Sequence, residues 1–171
     1  YFAFEEYGIQ DGSGFPYSNV FLIETATDSW LADTPIRVRT DLETALLADT
    51  RFEARQQAQP FLTTYNIGSP ANLVVSNPPT ELSADPHLVR FLPRQVAPPI
   101  DEAWSITLTE LPLMGRNCPE GETYNGFRLT LAGAGGEERI LNEDTSIPDS
   151  RRCPLNYAVT DVLTFYPDAG Q

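Results

Sequence analysis

A chain of 171 residues is long enough to bury about 70% of the surface that its unfolded form would expose, so a hydrophobic core needs no cofactor to complete it. Its 24 acidic residues outweigh 11 basic ones, every one of them Arg, for a formal net charge of −13. That balance excludes a nucleic-acid surface, which requires a cationic footprint to displace counterions, and it repels anionic lipid.

The hydrophobic fraction of 41% is that of a globular domain, and no apolar run approaches the roughly 20 residues that span a bilayer. The chain reads as one exported, acidic domain over residues 1–171. It has no initiator Met and begins inside a strand-like run, Tyr1-Phe2-Ala3-Phe4. A preceding segment, including a signal peptide, is therefore expected.

Tyr1 to Tyr7 and Asn19 to Glu24 read as two strands joined by the loop Gly8 to Pro16. The continuous apolar run Val20-Phe21-Leu22-Ile23 predicts a strand covered on both faces. A polar turn, Thr25 to Ser29, leads to Trp30-Leu31 in the manner of a propeller blade. No second copy follows at a propeller's period, so that architecture is set aside.

Thr40-Asp41-Leu42-Glu43 has the form of a capping box and predicts a helix start at that point. Leu47, Ala54, Ala58, Phe61, Leu62 and Tyr65 then fall on one helical face. Pro60 should kink or split this helix, because it lacks an amide proton and crowds the preceding turn. Ile67-Gly68-Ser69-Pro70 ends it.

Beyond residue 71, strands are predicted at Leu73 to Val75, His87 to Leu92, Trp104 to Leu111, Gly126 to Ala132, Glu138 to Asn142 and Ala158 to Tyr166. Apolar residues alternate with hydroxyls over Trp104 to Thr109, giving one buried and one wet face. Gly133-Ala134-Gly135-Gly136 reads as a hairpin turn. The expected fold is mainly β (α+β): an antiparallel sandwich or partly open barrel with one kinked helical segment packed on it. The Pro-rich stretch from Pro93 to Pro99 could serve as a connector.

Cys118 and Cys153 are each followed by Pro and match no redox or zinc spacing. In an oxidising compartment they should form a disulfide, and closing a loop of that length contributes about 4 kcal/mol. Two free thiols in a cytosolic protein are the alternative.

Signals for catalysis are sparse. The single histidine, His87, would have to anchor any triad or His-based metal site, and it reads as a structural or surface residue. There is no nucleophile elbow, phosphate-binding loop, dinucleotide fingerprint or zinc-protease motif. Carboxylate pairs, as used in glycoside hydrolysis, could come from Glu5, Glu6 and Asp11 or from Glu143 and Asp144, although Glu5 and Glu6 should point to opposite faces of a strand. The loops at Asp11 to Gly14 and at Asn142 to Asp149 offer oxygen ligands of the kind Ca²⁺ takes; turn formation explains them equally well.

The densest mixture of rings and acids surrounds the first loop: Tyr7, Asp11, Phe15 and Tyr17 are the candidate binding residues. Aromatics beside polar groups suit either a protein contact or sugar stacking; alternatively Phe15-Pro16-Tyr17 plugs the end of the core.

The run from Phe2 to Tyr17, FAFEEYGIQDGSGFPY, resembles an uncharacterised family of bacterial proteins predicted to be secreted, the domain of unknown function DUF2259. Pro35-Ile36-Arg37-Val38-Arg39, Asn77 to Leu82 and Phe165-Tyr166-Pro167 look like further segments of it. The resemblance implies export, to the periplasm, and so supports the disulfide independently; it supplies no catalytic residues. The expected function is a noncatalytic periplasmic or secreted module binding a protein in the cell envelope. The alternatives are a glycan-binding or carboxylate-based glycoside-hydrolysing protein and, third, a calcium-stabilised domain.

Overall fold

A computed structural model of the chain describes residues 1–42, 44–78, 80–115, 118–148 and 151–166. The fold is mainly β, in antiparallel sheets that do not close into a barrel. Its contacts divide into two compact units, Tyr1–Ser69 and Pro70–Gln171. Pro93 to Pro99 thus lies inside the second unit.

In the first unit, β1 (Phe2–Ile9) and β2 (Pro16–Glu24) form an antiparallel hairpin with Glu5 opposite Val20. The other edge of β2 pairs with β3 (Ser29–Trp30) and β4 (Ile36–Arg39). Helix α1 (Leu47–Thr64) packs on one face of this sheet. Val20, Leu22, Ile36 and Val38 meet Ala54 and Ala58 there, with Phe61 and Leu62 against them. Two alanines, four residues apart on the helix, let its backbone approach the sheet closely.

Three expectations are corrected here. The helix begins at Leu47, not at Thr40. The Thr40 amide instead donates to the Pro16 carbonyl at the end of the sheet ladder, and its hydroxyl shares a hydrogen bond with that of Thr50, leaving it no capping role; Glu43 lies outside the described residues. Of the kink or split expected at Pro60, the split does not occur: the helix is continuous through Pro60, which stands on its exposed side. Finally, Val20 to Ile23 is buried on one face only: Val20 and Leu22 enter the core, whereas Phe21 and Ile23 face away from the helix, half-buried.

The second unit contains a four-stranded antiparallel sheet in the order β6 (Leu88–Phe91), β7 (Trp104–Leu113), β8 (Tyr124–Ala132), β9 (Glu138–Glu143). The predicted glycine turn joins β8 to β9, with the Gly136 amide donating to the Gly133 carbonyl. A two-stranded ladder of β5 (Asn72–Ser76) and β10 (Asp161–Thr164) contributes Val74, Val75 and Val162 to a core with Val89, Phe91 and Ile106. Cys118 and Cys153 are joined in a disulfide.

Candidate functional site

Strand alternation decides what the first sheet presents on the side away from α1. Register places Phe2 opposite Ile23, Phe4 opposite Phe21 and Ile23 opposite Trp30, all on that open face. The rings form a continuous row. Phe2 stacks on Phe4 at 6.1 Å between centroids, Phe4 on Phe21 at 4.7 Å, and Trp30 meets Phe21 edge-on at 5.7 Å. Such contacts are each worth about 1 kcal/mol, yet the row is not sealed: Trp30 remains 56% exposed.

Toward the other end, the same face becomes polar. Asn19 lies between Glu6 on β1 and Arg37 on β4, and Tyr17 lies between Gly8 and Arg39. A shallow, open cavity of about 370 Å³ is lined by Gln10, Tyr17, Asn19, Arg37, Val38 and Arg39.

The helix side of the sheet carries a charged network. Glu5 accepts from the Arg51 Nε and Nη2 at 3.0 Å each, from the Arg55 Nη2 at 2.7 Å and from the Ser18 hydroxyl at 2.9 Å. Partial burial pushes its carboxyl upward, but the bonds from Arg51, Arg55 and Ser18 outweigh this and hold it at about 2. The Arg51 guanidinium lies 3.4 Å over the centre of the Tyr7 ring, a cation–π contact that fixes both side chains.

In the second unit, Asp144 accepts from the Phe127 amide at 2.9 Å and pairs with Arg151, which also sits over the Phe127 ring. Burial acts to raise the Asp144 carboxyl, and these bonds bring it below its ordinary value. Glu143 pairs with Arg128 at 2.6 Å. Among the described residues, no group of three or more His, Cys, Asp or Glu side chains is placed to hold a metal ion.

The family model described as a predicted secreted protein, DUF2259, matches residues 3–170. The chain belongs to this family. No curated protein and no solved structure matches it. In this DUF2259 member, no helix among the described residues is long and apolar enough to cross a membrane.

The candidate residues of the first loop are not brought together. Tyr7 pairs with Ser18 and points to the helix side, so Tyr17, the next residue along β2, points to the open side. Asp11 is exposed at the tip of the hairpin and Phe15 is half-buried beside it. Glu5 and Glu6 face opposite ways, as strand alternation requires. Each of Glu5, Glu143 and Asp144 is bound to arginine. His87 lies 3.7 Å from Glu110 and 3.2 Å from the Tyr157 carbonyl.

Residue-level reading missed Asn19, Trp30, Arg37 and Arg39 as surface-forming residues of one face. The signal for β4 was present in the alternation Ile36-Arg37-Val38-Arg39. Four residues are too few to reveal the partner strand, and it is the pairing with β2 that gathers these side chains.

Proposed function

We propose that this protein is a noncatalytic binding module acting in the periplasm or outside the cell, which holds an envelope protein against the open face of its first sheet. The observation that carries this reading is the row Phe2, Phe4, Phe21 and Trp30. A sheet that already buries one face against a helix has no folding need for an aromatic row on the other. Two of the rings in the row, Phe4 and Trp30, are exposed on a half-buried base of Phe2 and Phe21, and rings so arranged offer large contact area at small entropic cost, which is how interface hot spots are built.

The first-loop residues border this surface and need not form it. A Phe4→Ala, Trp30→Ala double variant tests the reading. Captured from native envelope extract, a stoichiometric partner should be retained by the wild type and by a Phe15→Ala variant and lost from the double variant, whose melting transition stays cooperative. Equal capture by wild type and double variant would overturn the assignment of the face.

A further inference from the structure

The polar end of the open face carries a second inference, independent of whether the aromatic end holds a protein. We propose that the cavity beside β4 binds a small organic anion whose carboxylate is carried on a hydroxylated ring, that is, an acidic sugar of the uronic-acid type.

The site follows from the pairing of three strands. The alternation of β4 commits Ile36 and Val38 to the core and turns Arg37 and Arg39 together onto the open face. Their partners across the ladder, Asn19 and Tyr17, fill out the floor. Beyond Tyr17 stands Gly8, and this is a constraint: a Cβ there would lie 3.1 Å from the Tyr17 hydroxyl and 3.3 Å from its ring carbons. The missing side chain lets the Tyr17 ring lie over β1, on the side of Tyr17 opposite β4.

The lining is more apolar than polar, and the polar side chains it presents are two arginines, two amides and the Tyr17 hydroxyl, in a chain of net charge −13. No carboxylate lines the cavity; Glu6, the nearest acid in register, stands across Asn19 from Arg37. Six other arginines each hold a carboxylate: Arg39 binds Asp41, Arg51 and Arg55 bind Glu5, Arg94 binds Asp101, Arg128 binds Glu143, and Arg151 binds Asp144. Arg37 has no such partner among the described residues; Arg90, Arg139 and Arg152 of the second unit have none either, and do not line the cavity. The planar fork of Arg37 is therefore available for a carboxylate from outside; Arg39 beside it is held at Nε by Asp41, so that only its terminal nitrogens are left for a second charge-assisted bond.

The rest of the lining selects the body of the ligand. Asn19 and Gln10 supply amides that can both donate to and accept from hydroxyl groups, and Tyr17 supplies a ring against which a sugar face can lie. Among the described residues no helix N-terminus lines the cavity to favour a phosphate, and the amides beside the guanidinium fork suit the hydroxyls of a ring that carries a carboxylate.

Titration of the isotope-labelled full chain with glucuronate, glucose and inorganic phosphate, followed by NMR, tests the proposal. Glucuronate should bind saturably, with shift changes centred on Tyr17, Asn19 and Arg37, and glucose should bind at least about tenfold more weakly. Arg37→Gln should weaken glucuronate binding by about tenfold or more, and Arg90→Gln, which removes an arginine of the second unit, should leave it unchanged. Shift changes elsewhere, equal affinity in Arg37→Gln, absence of saturation, or tighter binding of phosphate than of glucuronate would each overturn the assignment. The localisation of the shift changes decides the matter even if Arg37→Gln fails to fold.

Discussion

The Glu110 carboxylate on β7 accepts the backbone amide of Tyr157 at 2.8 Å, across a separation of 47 residues. Asn125, which donates to the Leu155 carbonyl at 2.7 Å, also reaches the second Glu110 oxygen at 3.4 Å. The segment before β10 is thus held to the sheet by polar side chains where strand pairing is lacking. Replacing Glu110 with Ala strands the Tyr157 amide and should destabilise the second unit by about 1–3 kcal/mol. Glu110→Gln, which retains an acceptor, should cost less. Urea unfolding followed by Trp104 fluorescence in a Trp30→Phe background measures both; equal stability with and without Glu110→Ala would remove this role.

The Glu5 network predicts an acid limb for the first unit. A carboxyl held at about 2 in the folded chain and near 4.5 when unfolded adds stability that is fully present above the unfolded value. That stability is lost as pH falls from about 4.5 toward about 2. Glu5→Gln should be less stable at neutral pH and show a flatter dependence through that window. Trp30, read in a Trp104→Phe background, reports the first unit alone. An unchanged slope in Glu5→Gln would refute the linkage.

The disulfide closes a separation of 35 residues within the second unit. Cys118→Ser with Cys153→Ser should lower that unit's stability by about 4 kcal/mol on loop-closure grounds. Because both cysteines belong to one unit, the Trp30 transition should stay where it is. A shift of the Trp30 signal with the Trp104 signal would show instead that the two units unfold as one.

Gly126 on β8 stands under the Asp144 side chain: a Cβ there would come within 2.8 Å of the Asp144 Cβ and collide with Leu113. Gly126→Ala should displace Asp144 from the Phe127 amide and destabilise the second unit by about 1–3 kcal/mol. Amide hydrogen exchange reads the site directly, since the Phe127 amide should lose protection well before its neighbours in the ladder.

Much of the architecture is legible in the sequence, and for a physical reason. Alternation over Trp104 to Thr109 and the glycines between β8 and β9 are local signals, and each marks its element correctly. The helix start is not legible, because Thr40 has two uses for its polar groups and only the position of Pro16 and Thr50 decides between them. Nor is the open face: Phe4, Phe21 and Trp30 are far apart in the chain, and pairing register alone makes them neighbours. The carboxylates singled out as catalytic candidates are individually visible, but the arginines that bind Glu5 come from 46 and 50 residues away.

The reliance on guanidinium for every ion pair described here gives the protein an uneven chemical reactivity. Reagents that acylate side-chain amines find no target in these residues, whereas arginine-directed dicarbonyls have eleven. Arginines already forked onto carboxylates, such as Arg51 and Arg94, should react slowly. Arg37 should be modified early, and an occupant of its cavity would register as a lag in its labelling.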